Sequence, residues 1–471
     1  MKTRLHAASL VTVAALMAGA CKQGPDYTPT PVAEFEQFRD STVTTESIAN
    51  LTWWELFADT TLQQLIEVAV ENNRDLRVAL ARIAEARAQA GFVRADLYPR
   101  VDLVGGADVT EIFNSDGTQV PVRDAFLAAD MFWEIDLWGR IRRSNEAAVQ
   151  ELMASEEAFR SITLTLVSDL AGLYLLLRDL DARLEISEQT VVARLDAVSI
   201  LQARFDAGVI TEVDVNQAEI ELADAEAAVE VFTRLRVQTE NAISVLMGHT
   251  PAEISRGLSL KQQTLPPEIP VGLPSDLVRR RPDILEAERR LAAQTARIGA
   301  AEALKYPTLS LTGTAGVSND FASGGLTSAI LGIGAGLVGP IFNAGRNQRR
   351  VDIEVARTEQ LLNVYQQTIL TAFQEVEDAV VAVYTYRAEH ESRQRQVEAA
   401  QNANDLSWAR YHGGLTSYLE VLDLQRSLFS AQLAESETLQ LRLSSTVELY
   451  KALGGGWPVR DSLWAVADSL P

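Results

Sequence analysis

The chain has 471 residues, ample apolar side chains for a large core, and a formal charge of −22 from 42 basic and 64 acidic side chains. A surface of that sign repels nucleic acid and offers no basic stripe for phosphates. The four histidines (His6, His249, His390 and His412) are scattered and Cys21 is the sole cysteine, so neither a zinc cluster nor a disulfide framework is expected, and no metal or cofactor.

Residues 1–20 read as a signal peptide: Lys2 and Arg4, an apolar run from Ala7 to Met17, then Ala18-Gly19-Ala20 before Cys21. A cysteine in that position resembles the lipobox of bacterial lipoproteins, whose thiol is acylated and becomes the new N-terminus. Ala18 departs from the pattern, which usually has leucine there. The resemblance implies lipid attachment at Cys21, and Lys22 in place of an aspartate implies passage to the outer membrane. Each buried CH₂ of an acyl chain contributes about 0.8 kcal/mol, so several chains anchor firmly. Residues 21–60 then form a lipidated, extended arm with Pro25, Pro29 and Pro31 and little periodicity. Trp53, Trp54, Leu56 and Phe57 open the structured part.

Residues 61–250 form a first repeat. A helical pattern runs from Leu62 to Arg94 through Leu65, Ile66, Val70, Leu76, Leu80 and Ile83, and Tyr98-Pro99 stops it. The period then changes to two. Val101, Leu103, Gly105, Ala107 and Val109 alternate with more polar neighbours, and Leu127, Ala129, Met131, Trp133 and Ile135 do so again. Two strands at about 100–136, each about ten residues long with one apolar face, match what a tilted strand needs to cross a bilayer. A soluble half-buried hairpin would look similar. From Arg142 to Phe205 there is no proline, and apolar residues from Phe159 to Phe205 keep three-and-four spacing. More than sixty residues at 1.5 Å each give about 90 Å, too long for a globular domain. Gly208 ends this helix, and a partner helix runs to Met247.

After a proline-rich linker, 251–273, the pattern returns over 274–455. Asn73-Arg74-Asp75-Leu76 is answered by Arg281-Pro282-Asp283-Ile284, and Tyr98-Pro99 by Tyr306-Pro307. Two further alternating segments at about 308–340 are predicted strands. A second long helix spans about Asn347 to Tyr411 and a shorter one Thr416 to Leu453. The reversal RFDAGVITEVDV recurs as RYHGGLTSYLEV, with Thr211, Thr416 and Ser417 in capping range. Residues 456–471 form a C-terminal tail.

Four strands cannot close a transmembrane barrel, and an open sheet edge in lipid costs several kcal/mol per unpaired group. Strands from several copies must be pooled; a dimer supplies eight and a trimer twelve, and the long repetitive helices favour the larger ring. Enzyme readings find no support. Gly334, Gly336 and Gly339 spell GxGxxG but fall in an alternating segment, His390-Glu391 lacks a second histidine, and no Ser or Cys sits in a nucleophile elbow.

Gly24-Pro25-Asp26-Tyr27, Trp53-Trp54-Glu55-Leu56-Phe57, Asp136-Leu137-Trp138-Gly139-Arg140, Arg279-Arg280-Arg281-Pro282-Asp283, Pro340-Ile341-Phe342 and the Gly208 and Gly414 reversals together resemble the TolC-like outer-membrane factor family. The resemblance is greater to its lipoprotein branch, the exit ducts of tripartite RND efflux systems. It implies a mainly α chain with a membrane β-barrel part: two tandem repeats, assembled as a homotrimer with a twelve-stranded β-barrel continued by a long coiled-coil α-barrel. It also implies a passive channel in the cell outer membrane of a Gram-negative bacterium, lipid-anchored and reaching into the periplasm. Its partners would be a periplasmic adaptor and an inner-membrane RND pump, and its cargo drugs or other small amphiphilic compounds. By the same resemblance Arg204, Gly208, Thr211, Arg410, Gly414, Thr416 and Ser417 lie at an adaptor-docking tip, and Asp206 and Asp405 are candidates for an acidic gate. An acidic tip would favour cations. Type I protein secretion through the same duct, and a poreless periplasmic coiled-coil scaffold, are the alternatives.

Overall fold

The structure is a computed structural model that describes residues 22–29, 58–113, 115, 117, 119–264, 274–320 and 326–455. The chain divides into two compact units, each drawing on both repeats. The first comprises Met1–Val32, Ala81–Glu157 and Glu286–Gln367, the second Ala33–Leu80, Ala158–Leu285 and Thr368–Pro471. In chain order the elements are α1 (Thr60–Asn72), α2 (Arg74–Ala95), β1 (Arg100–Phe113), β2 (Gln119–Ile135), α3 (Arg140–Asp206), α4 (Glu212–Leu246) and a 3-10 turn (Leu260–Gln262). There follow α5 (Pro274–Arg280), α6 (Pro282–Ala303), β3 (Thr308–Asp320), β4 (Leu326–Val338), α7 (Arg346–His412) and α8 (Tyr418–Ala452). Helices α3 and α7 both have 67 residues, α4 and α8 both 35, α2 and α6 both 22. The duplication in the sequence is therefore a duplication of structure, element by element.

The continuous helix expected from Leu62 to Arg94 is in fact two helices. Asn73 leaves the helical region at ψ 133. Its Oδ1 accepts the Leu76 N–H at 3.0 Å, capping α2, while Nδ2 donates to the Leu246 carbonyl at the end of α4 at 2.8 Å. Arg281, its repeat mate, stands between α5 and α6 just before Pro282 and likewise reaches the end of the second hairpin, donating from Nη1 to the Ala452 carbonyl of α8 at 2.9 Å. Apolar periodicity ran straight through this break because the cause is a capping bond and a tertiary carbonyl, neither of which alters the pattern of buried positions.

In the first unit the four strands form one antiparallel sheet in the order β1-β2-β3-β4. The register aligns Val101, Met131, Gly313 and Ile333 in one row and Leu103, Ala129, Ala315 and Leu331 in the next. All these side chains share a face, because successive residues alternate sides. Leu103, Leu331 and Ile333 are 77%, 83% and 91% exposed on it, so this face is apolar and bare. The opposite face aligns Asp102, Asp130, Thr314 and Gly332, and further along Asp108 and Asp124. Like charges directly across a strand pair oppose pairing unless water solvates them. One face thus suits hydrocarbon and the other an aqueous lumen. Gly334 and Gly336 lie within β4 opposite Thr312 and Ser310, so the first two glycines of the GxGxxG sequence are on a strand and Gly339 follows its end.

Candidate functional site

The two helix reversals lie in the second unit. Gly208 and Gly414 both have φ +70. At each, the N–H after the glycine bonds back to an arginine carbonyl, Val209 to Arg204 and Leu415 to Arg410, both at 2.9 Å. This is the bonding of a left-handed helix stop, in which the residue at positive φ returns two orphan carbonyls to partners. No atom stands within 4 Å of a methyl added at either glycine, so the backbone alone demands it. Gly208→Ala and Gly414→Ala are each expected to cost roughly 1–2 kcal/mol, read as a lower thermal midpoint with helix content retained.

The hydroxyls at these turns stand at or beside the helix caps as expected, Thr211 in a capping box with Asp214, and the two threonines also donate to first-turn carboxylates. Thr211 and Ser417 occupy the N-cap positions of α4 and α8, and Thr416 precedes the cap. Thr211 donates its hydroxyl to Asp214 Oδ2 at 2.9 Å, and the same oxygen accepts the Thr211 N–H at 3.1 Å. Thr416 donates to Glu420, which also lies 3.6 Å from Arg410 Nε. First-turn carboxylates add charged acceptors at each helix N-terminus, and the threonine hydroxyls donate to them.

Beneath the turns Leu201, Val215, Ala218, Tyr411, Tyr418, Val421 and Leu422 form one buried cluster, with Trp408 packed against it. The Arg204 guanidinium lies 4.9 Å from the Tyr411 ring centre, and Trp408 stacks on His412 at 5.4 Å. Burial, and then Tyr411, push the Tyr418 phenol up to about 12. Around this core each tip displays an equivalent apolar pair, Val209 with Val213 and Leu415 with Leu419, each residue more than half exposed. Asp206 accepts from Gln202 Nε2 at 2.8 Å and Asp405 from Gln401 Nε2 at 2.9 Å, both exposed. The two aspartates are not repeat mates: His412 answers Asp206, and Ser199 answers Asp405.

Cys21 lies outside the described residues, but the segment after it, 22–29, is described in the first unit. Arg143, among the largest fully buried side chains, donates from Nε to the Gln23 carbonyl at 3.0 Å and from Nη2 to the Gly24 carbonyl at 2.9 Å. Its Nη1 meets Glu146 at 3.1 Å and Asp26 at 3.0 Å. Gly24, at φ +80, lies against Gly299 of α6 so closely that a methyl on either would overlap backbone. Tyr27 donates to Glu288 at 3.1 Å. Neither Arg143 nor Gly299 was singled out by sequence reasoning; a lone glycine inside the α6 pattern was the available signal. Trp138 donates to the Pro307 carbonyl at 2.7 Å and stacks on Tyr306 at 4.6 Å, which accounts for the Asp136-to-Arg140 run.

A sheet with one bare apolar and one acidic face, followed in each repeat by a long helical hairpin, defines a TolC-like outer-membrane channel. The family model for outer membrane efflux proteins matches residues 65–249 and again 273–455, once per repeat, and the chain belongs to that family. Members are transport conduits rather than enzymes. The chain is 36% identical over 458 residues to a probable efflux pump outer membrane protein, TtgC of Pseudomonas putida, covering 95% of this chain and 91% of that one. It is 36% identical over 447 residues to the antibiotic efflux pump outer membrane protein ArpC of the same species, covering 92% and 89%. The solved outer-membrane channel OprN superposes with a TM-score of 0.86 at 31% identity, covering 93% of this chain and 100% of that one.

Proposed function

We propose that this protein is the exit duct of a tripartite efflux pump: a homotrimer whose three sheets close a twelve-stranded barrel in the outer membrane. In this reading acyl chains on Cys21 hold residues 21–60 to the membrane, after removal of the signal peptide 1–20. Residues 61–250 and 274–455 are the two duct-forming repeats, joined by the linker 251–273 and followed by the tail 456–471. The sheet carries the reading. It has an apolar face for lipid, an acidic face for water and one unpaired edge on each of β1 and β4, and such edges persist in hydrocarbon only where another copy pairs with them.

The tips dock the hairpins of a periplasmic adaptor that joins an inner-membrane RND pump. The exposed pairs Val209/Val213 and Leu415/Leu419, beside Arg204, Thr211, Arg410, Thr416 and Ser417, give the apolar contact and polar rim that such docking uses. The names of the curated relatives support antibiotics or other small amphiphilic compounds as cargo. A co-purifying inner-membrane peptide transporter in place of an RND pump would instead favour protein secretion. Negative-stain imaging in detergent is expected to show three-fold particles, and planar bilayers to show conductance once the tip is opened. A single-chain particle, or trimers that never conduct, would overturn the duct and favour a poreless scaffold.

Two variants test the finer assignments. Asp405→Ala is expected to raise resting conductance and antibiotic leakage in cells; unchanged values remove Asp405 from the gate. Cys21→Ser is expected to abolish labelled palmitate incorporation, and retained label places the lipid elsewhere.

A further inference from the structure

The two hairpins are fastened differently at one level. On the first, Leu184 of α3 lies buried in an apolar cluster with Leu180 and Phe232, and Val229 of α4 packs against it. Helices α3 and α7 begin at Arg140 and Arg346, α4 and α8 at Glu212 and Tyr418, both pairs 206 residues apart (346 − 140 and 418 − 212). The mates of Leu184 and Val229 are therefore His390 of α7 and Glu435 of α8. These are 3% and 7% exposed, and His390 Nε2 lies 3.1 Å from Glu435 Oε1. Arg442, about two turns further along α8, places Nη1 3.2 Å from His390 Nδ1. Lys261 of the 3-10 turn, itself largely exposed, lies 3.9 Å from the other Glu435 oxygen. Where the first repeat has apolar contact, the second buries a histidine between an acid and a base.

The partners fix the proton on this ring. A guanidinium only donates, so Nδ1 accepts and carries no hydrogen; an ionised carboxylate only accepts, so Nε2 carries it. His390 is thus held neutral between two groups of the same helix. Leu184 and Val229 show that a hairpin of this kind holds at this level without any polar pair, and packed apolar residues often replace a buried ionic group at no loss of stability. What the second hairpin has in addition is the chemistry of histidine, the side chain whose ordinary charge change falls between pH 5 and 8. A further proton can enter the ring only at Nδ1, the seat of Arg442. It turns the acceptor into a donor and sets two cations face to face. Arg442 is only half-buried and can turn out to water, whereas Glu435 gains a charged partner. On the histidine's own helix Glu389 and Glu391 are exposed and paired with Arg393 and Arg387, so the response is decided by Glu435, Arg442 and Lys261.

We propose that His390 is a proton-operated joint between α7 and α8. Neutral, it holds both Glu435 and Arg442; protonated at Nδ1, it releases Arg442 and keeps Glu435, so the second hairpin loosens on acidification. The first hairpin, with Leu184 and Val229 at the same level, does not respond. The joint lies within one chain, and the duct reading supplies only its setting, a helix pair exposed to the acidity of the periplasm.

Hydrogen exchange of the full-length protein in detergent tests this, comparing residues 436–448 of α8 with their mates 230–242 of α4 after correction for the chemical exchange rate. Between about pH 7.5 and about pH 5.5, the range in which histidine changes charge, the α8 stretch is expected to quicken several-fold relative to its α4 mate. His390→Gln, whose amide can accept from Arg442 and donate to Glu435 at either pH, is expected to keep one ratio throughout. His390→Leu with Glu435→Val, which installs the first repeat's pair, is expected to do the same. Asp179 also meets α8, accepting from Ser436 at 2.6 Å; it is intact in both variants, so a response of its own persists in them. A parent ratio that does not change with pH, or a change that persists in either variant, overturns the joint.

Discussion

Replacing Asp59 with alanine is expected to destabilise the second unit by about 3–5 kcal/mol. The side chain is buried and gathers donors from its own helix and from two distant parts of the chain. Oδ1 accepts the Thr61 and Leu62 N–H groups at 2.9 and 3.4 Å, capping α1. Oδ2 accepts the Tyr174 hydroxyl of α3 at 2.9 Å, the Leu258 N–H at 2.9 Å and Gln263 Nε2 at 2.8 Å. Alanine leaves these donors facing a space without an acceptor, and each buried donor so orphaned costs about 1–3 kcal/mol unless water enters. Gly257 lies so close that a methyl there would overlap the carboxylate, so Gly257→Ala is expected to reproduce part of the loss with Asp59 intact. Thermal unfolding followed by helix circular dichroism measures both; unchanged midpoints would remove Asp59 from the forces holding this unit. Burial alone would push the Asp59 carboxyl up, but the bonds from Gln263, Tyr174, Thr61 and Leu258 outweigh it and hold the group below the usual carboxylate range. The folded value is the lower one, so the stabilisation is complete above about pH 4 and is lost as pH falls through the folded value. Asp59→Asn is expected to flatten that acid slope.

Asp59 marks where sequence reading stops. The long helices, the four strands and their faces were legible because burial imposes a period that one helix or strand carries by itself. The reversals were legible because positive φ selects glycine, and the duplication reported the same device twice. What the sequence did not disclose are groups defined by partners far along the chain: Asp59 with Tyr174 and Leu258, Arg143 with Gln23 and Gly24. Before Thr60, an aspartate reads only as a helix cap; that it also holds α3 and the linker depends on packing. The break at Asn73 was missed because buried positions remain in step across it. At the tips the capping residues were legible, but the bonds their hydroxyls also donate to Asp214 and Glu420 were not, since a threonine hydroxyl both donates and accepts.

Glu221→Ala is expected to cost a similar 3–5 kcal/mol, now localised near the tips. Glu221 of α4 and Arg194 of α3 have side chains 5% and 3% exposed and lie 3.2 Å apart, Oε2 to Nη2. Arg194 also donates to the Glu221 carbonyl, and Arg426 of α8 reaches the second carboxylate oxygen. One carboxylate thus joins both helices of the first hairpin to a helix of the second. Removing it strands a buried guanidinium, because Asp224, 3.5 Å from Arg194 Nη1, is 68% exposed and its attraction is screened by water. The free energy lost is the penalty of an unpaired buried charge and not the worth of the pair, so Glu221→Ala combined with Arg194→Met is expected to recover most of it. The pair lies thirteen to fourteen residues from Gly208, about 20 Å along the helices, and just beyond the cluster of Val215, Ala218, Tyr411 and Tyr418. Hydrogen exchange at the two reversals is therefore expected to quicken in Glu221→Ala and to return toward the parent rate in the double variant, while exchange in the four strands stays unchanged. Exchange that quickens equally in the strands would mean the carboxylate supports the whole fold, and exchange unaltered at the reversals would separate it from the tips.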